Sequence, residues 1–187
     1  ATIRRQRQMC IRDRFRLKNR KVIWDEVFDT YGGFDPAYTQ TGDKACLAFA
    51  KVGMGWDAKE IKGVRIDEDF KRENPPKLLV QFFAGYEIAI IEGGDEDTLY
   101  AMCTDVVRLA RKHGCPTQNI AIDVTSSPTA PALFRVRVDR ECSLVDSKRK
   151  TTDRTVSPLD HDLASEKYAN RGSEMLWSVR TLALIHI

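Results

Sequence analysis

The chain predicts an α/β domain in which a meander of strands precedes a long helix and a central strand. Three observations carry this reading. A short apolar segment at residues 31–35 is followed, after a polar turn, by an apolar run at 45–52. Residues 95–112 bring Leu99, Met102, Cys103, Val106 and Ala110 back at helical spacing. Ile120-Ala121-Ile122-Asp123-Val124 is a near-continuous apolar run, the pattern of a strand at the centre of a sheet. Strands, then helix, then inner strand is a layered arrangement.

Taken in order, residues 15–30 mix basic side chains with Val22, Ile23, Trp24, Val27 and Phe28, which fits either a strand or a short helix. Residues 31–35 form a first strand, 39–44 a polar turn and 45–52 a second strand. Gly53 and Gly55 mark the next turn, and further strands are expected at 63–67 and at 78–83 or 88–92. Asn74-Pro75-Pro76 keeps them from being one element, because proline cannot donate to a ladder. The helix at 95–112 opens on acids, closes on Arg111 and Lys112, and meets Gly114 and Pro116, a left-handed cap followed by a stop. A polar loop at 125–128, a short helix at 131–137 and a strand at 142–145 follow. Residues 148–158 read as a basic loop, and 165–182 as an amphipathic helix with Tyr168, Leu176, Val179 and Leu182 along one face.

Both ends of the chain read differently from its middle. Met9-Cys10-Ile11-Arg12-Asp13 at one end and Leu184-Ile185-His186-Ile187 at the other resemble the two strands of one transposon-type sequencing adapter, translated in frame. Residues 1–14 and 183–187 are therefore expected to be adapter-derived, and 15–182 to be the domain. This matters for charge. Of 30 basic and 27 acidic residues, five arginines and one aspartate lie in 1–14, leaving 25 and 26, a net of −1 in place of +3. Bulk electrostatics then give no argument for nucleic acid, and any such argument must rest on a site. Cys46, Cys103, Cys115 and Cys142 form no C-x-x-C pair, which points to small buried hydrophobes in a reducing compartment. No apolar run approaches the length of a membrane span.

The candidate chemistry lies at two strand ends. Asp35 closes the first strand, in Gly32-Gly33-Phe34-Asp35-Pro36, and Asp123 closes the inner one. Carboxylates on neighbouring strands converge and repel unless cations lie between them. A pair of Mg²⁺ or Mn²⁺ ions about 3.5–4 Å apart can activate water and stabilise the leaving oxygen of a phosphodiester. Thr39 and Thr125 offer supporting hydroxyls. Taken alone, the spacing better fits a turn aspartate and a strand-end aspartate with no ligand.

Motif order changes the balance. Phe34-Asp35-Pro36-Ala37 with Gly42-Asp43, then Ile122-Asp123-Val124-Thr125, then Tyr168-Ala169-Asn170-Arg171 with Ser173-Glu174-Met175-Leu176-Trp177, resembles the C-terminal nuclease domain of phage terminase large subunits over residues 31–182. The resemblance implies an RNase H-like mixed sheet flanked by helices, incomplete at its C-terminus. It implies a metal-dependent endodeoxyribonuclease that cuts concatemeric viral DNA during genome packaging. Asp35 and Asp123 correspond by motif position to two of the family's metal-binding acids, for Mg²⁺ or Mn²⁺, two ions in the complete domain. The implied partners are double-stranded DNA and, in the parent protein, an ATPase domain, a portal and a small terminase subunit, with no membrane, in the cytoplasm of the infected host. Ser126-Ser127-Pro128 stands where the family has small glycine-rich residues, and the family's third acid lies beyond the late helix. No G-x-x-x-x-G-K-[ST] pattern occurs, so ATP hydrolysis is not expected of this chain. The competing expectations are a DNA-binding or docking fragment without its own activity, and another RNase H-like nuclease such as a resolvase or transposase.

Plainer roles are expected elsewhere. Asp43 fits a turn, His113 completes a helix, and Arg171 with Glu174 makes a helix-face ion pair.

Overall fold

The computed structural model describes residues 21–25, 27–36, 44–89, 95–125, 130–157 and 160–169. The strands are β1 (Val22–Trp24), β2 (Asp29–Asp35), β3 (Ala45–Asp57), β4 (Lys77–Ile88), β5 (Ile120–Asp123), β6 (Ser143–Val145), β7 (Thr155–Ser157) and β8 (Asp160–Leu163). The α-helices are α1 (Glu68–Glu73), α2 (Asp95–Lys112), α3 (Ala130–Arg137) and α4 (Ala164–Lys167).

Among the described residues, six strands form one mixed sheet in the order β4-β3-β2-β5-β6, with β1 extending the β2 edge of β3. The β4-β3-β2 portion is antiparallel and the β2-β5-β6 portion parallel. An antiparallel meander, a crossover helix to a parallel inner strand and a second crossover to the next strand make a mixed α/β sheet. The α/β class and the mixed, helix-flanked sheet expected above are therefore present.

Both crossover helices lie on one face and touch each other. The alternation along β2 sends Thr30, Gly32 and Phe34 inward, while Tyr31, Gly33 and Asp35 face the other way. Phe34, Leu47, Phe49, Ile88, Ile120 and Ile122 from the sheet meet Met102, Val106 and Leu109 of α2 and Phe134 of α3 in one buried core. Phe134 lies edge-on against Phe34, ring centroids 6.0 Å apart, so α3 is anchored on the residue just before Asp35. Gly114 takes φ +62 and closes α2, with the Cys115 N–H donating to the Ala110 carbonyl, as the glycine and following proline predict.

Several boundaries differ from expectation. β3 runs on through Gly53 and Gly55, because β1 closes against it there: a Cβ on Gly55 would lie 2.5 Å from the Ile23 carbonyl oxygen. The expected strand at 63–67 is instead turn and extended coil, ending in Asp67, whose carboxylate caps α1 by accepting from the Phe70 N–H. β4 absorbs the first of the two alternative strands and ends at Ile88. The basic loop at 148–158 contains β7, paired with β8. The helix expected over 165–182 stops as α4 at Lys167, where Tyr168 takes an extended φ of −118. Residues 170–182 lie outside the described part, as do 1–14, 183–187, Thr39 and Asp43. No helix among the described residues is long and apolar enough to cross a membrane.

Candidate metal site at the ends of the parallel strands

In the parallel β2–β5 ladder Gly32 faces Ile120, Gly33 faces Ala121 and Phe34 faces Ile122. The next residue of each strand is an aspartate. Asp35 and Asp123 thus stand at matched positions at the carboxyl ends of two adjacent strands, whose backbones lie about 4.8 Å apart. Phe34 and Ile122 are buried against the helices, so both aspartates project from the opposite, open face. Asp35 is exposed and Asp123 half-buried.

Register extends this into a row across the sheet. Asp35 faces Cys46, Cys46 faces Glu87, and Asp123 faces Val145. Glu87 is paired with Lys44. The neighbouring row on the same face is made of small residues only: Gly85, Ala48, Gly33, Ala121 and Ser143. A Cβ built on Gly33 meets no atom within 4 Å. Beside the acids, then, the sheet presents a shallow floor without bulky side chains.

Asp123 is held from its own turn. Its Oδ1 accepts from the Thr125 N–H at 2.8 Å and from the Thr125 hydroxyl. That hydroxyl also meets the Ser147 hydroxyl at 2.9 Å and accepts from the Ser147 N–H at 2.8 Å. The loop after β6 is therefore tied to the loop after β5, and the carboxylate of Asp123 is oriented by both. Thr125 is one of the two hydroxyls the sequence offers, and the other, Thr39, lies outside the described residues. Ser147 was not foreseen, although Asp146-Ser147 after Leu144-Val145 repeats the pattern of a polar pair after an apolar run. Asp146, at the end of β6, is turned to its own loop, accepting from the Lys148 N–H and pairing with Arg149 at 3.5 Å.

Two carboxylates on one face suit a hard, hydrated cation, since Mg²⁺ keeps several waters and takes one or two protein carboxylates together with substrate phosphates. Among the described residues no group of three or more His, Cys, Asp or Glu side chains gathers to hold a metal.

No family model matches the chain, and neither a curated protein nor a solved structure matches it.

Proposed function

We propose that this chain is a metal-dependent DNA endonuclease module of the kind found in viral genome-packaging terminases. The observation that carries the reading is the matched register of Asp35 and Asp123 on the open face, at the carboxyl ends of adjacent parallel strands in a mixed, helix-flanked sheet. The motifs around both aspartates, and the late Tyr168-Ala169-Asn170-Arg171 run, support it. Bound Mg²⁺ or Mn²⁺ would lower the pKa of a water and stabilise charge on a phosphodiester. Asp35 and Asp123 would hold that charge at the rim of the sheet. Thr125 and Ser147 keep Asp123 in place, and the small-residue floor lets a duplex backbone come close. In this reading the substrate is concatemeric double-stranded DNA, the site of action is the host cytoplasm, and ATPase domain, portal and small subunit are partners of a parent protein.

The test is nicking of supercoiled plasmid with Mn²⁺ by the wild type, Asp35→Ala and Asp123→Asn. Cleavage by the wild type that falls at least about a hundredfold in both variants supports the proposal. If the wild type does not cut at any Mn²⁺ concentration, the enzymatic reading of this chain is lost and a docking fragment stands in its place. Equal cutting by all three proteins excludes these aspartates.

A further inference from the structure

A second constellation lies on the helical face, away from the acids. One stripe of α2 (Tyr100, Cys103, Thr104, Val107, Arg108 and Arg111) lines a groove of about 520 Å³, closed on its other side by Arg137 of α3. The floor is weakly polar: Cys103 is buried and Val107 packs against the core. The rims are cationic. Arg137 stacks over the Tyr100 ring, its guanidinium carbon 4.4 Å from the centroid, and Tyr100 remains 48% exposed. Arg108 is held by Asp105 through contacts of 2.8 and 3.1 Å. Arg111 and Arg137 have no carboxylate partner among the described residues. Among the described side chains, three guanidiniums stand here against the one carboxylate of Asp105. Val136, beside Arg137 in α3, is 77% exposed, which adds apolar surface next to the cations.

The geometry points to a docking groove for an acidic amphipathic helix of a partner protein. From Tyr100 to Arg111 the stripe covers about 16 Å, three helical turns. Arg137 marks one end, at Tyr100, and Arg108 with Arg111 marks the other. A matching helix carries carboxylates two to three turns apart and apolar residues between them at i, i+3 and i+4, over Val107 and the Tyr100 ring. The apolar floor selects for this occupant over a phosphodiester backbone, which would gain nothing from it.

The probe is a synthetic fluorescent helix of about 18 residues, long enough to fold on contact, with leucines on one stripe and glutamates flanking it. Anisotropy with the whole chain should show binding that weakens at least tenfold in Arg111→Glu/Arg137→Glu. A peptide with lysine for each glutamate should bind that reversed protein and not the wild type. Both arginines are exposed, so far-ultraviolet circular dichroism should be unchanged, and Mn²⁺-dependent nicking by the double variant should match the wild type's, whatever that is. No binding of the glutamate peptide overturns the proposal. So does equal binding of a scrambled peptide of identical composition. A single-stranded oligonucleotide that displaces the peptide, and whose own affinity collapses in the double variant, assigns the groove to nucleic acid instead.

Discussion

Phe34 lies directly across from Ile122 in the parallel β2–β5 ladder, and each is followed by an aspartate at the end of its strand. The buried pair fixes the register of the exposed one, because a slip by one residue would turn Phe34 and Ile122 out of a core in which both are at most 2% exposed. Packing against α2 and α3 thus brings two like charges together.

That juxtaposition predicts a metal-dependent stability. At a Mn²⁺ concentration ten times the dissociation constant, a single site adds about 1.4 kcal/mol, readable as a rise of a few degrees in Tm. Asp35→Asn and Asp123→Asn should abolish the rise. Asp123→Asn is the cleaner of the two, since the amide oxygen can still accept from the Thr125 N–H that holds the turn. With two acids a second ion should bind weakly, since affinity follows the number and charge of ligands. Two tight Mg²⁺ sites by calorimetry would contradict this account.

The bare floor beside the acids predicts a separation of folding from activity. Gly33 has open space where a side chain would go, and its φ is not in the left-handed region. Gly33→Leu should therefore leave the unfolding free energy measured in urea within about 0.5 kcal/mol of wild type. Its side chain would stand in the small-residue row, next to Asp35, and keep a duplex away. Plasmid nicking should fall at least tenfold while the Mn²⁺-induced Tm rise is kept. Loss of both readouts together would mean that the leucine disturbs the acids themselves.

Much of this arrangement was legible in the sequence because it follows from local patterns. Apolar runs ending in Asp35 and Asp123 gave the strands, and the spacing from Leu99 to Ala110 with Gly114 gave α2 and its end. What the sequence did not disclose depends on distant partners. Gly53 and Gly55 read as a turn until β1 is seen to cross there, and Asp67 reads as a strand end until α1 begins after it. The row from Glu87 through Cys46 to Asp35 and Asp123 comes only from register, as does the tie between Thr125 and Ser147, 22 residues apart. Residues 165–182 were read as one helix from their apolar spacing, yet Tyr168 leaves the helical region.

The Thr125–Ser147 tie predicts a measurable cost. Thr125→Val keeps the shape but removes the hydroxyl that donates to Asp123 and accepts from the Ser147 N–H. Leaving a half-buried donor unpaired should cost about 1–2 kcal/mol by urea unfolding. Ser147→Ala removes only the hydroxyl contact and should cost less. A double-mutant cycle between the two should give coupling of at least about 0.5 kcal/mol, and additive effects would show that the loops are not linked.

His113 predicts a pH dependence. Its Nε2 lies 2.6 Å from the Tyr86 hydroxyl, and its ring contacts Phe49 and Phe83. Burial, and then the neighbouring Lys112, hold its pKa below the ordinary histidine value. The unfolded chain therefore takes up this proton first as pH falls. The histidine's contribution is intact above about 6.5 and is lost as pH drops from there towards the folded value. Stability measured in urea between pH 8 and 5 should fall more steeply for wild type than for His113→Gln. Parallel curves would place the imidazole in water.

The cysteines predict a sharp division in reactivity that reaches the proposed site. Cys103, Cys115 and Cys142 are all under 5% exposed, and burial raises their thiols, the first two to about 11. None of the four is in a disulfide, and Cys46, against the buried place expected of it, is exposed and faces Asp35 across the β2–β3 ladder. Only the thiolate reacts, so iodoacetamide at pH 7.5 should modify Cys46 at least about a hundredfold faster than the three buried thiols. The experiment is read by peptide mass mapping in a Cys10→Ser background, with urea added to release the slow group. A bulky maleimide on Cys46 would project from the same face as Asp35, one strand away. It should block plasmid nicking without lowering Tm, whereas Cys46→Ala should cut normally and resist the reagent. Comparable labelling of all four thiols in the native protein would mean that the core around α2 is open to solvent.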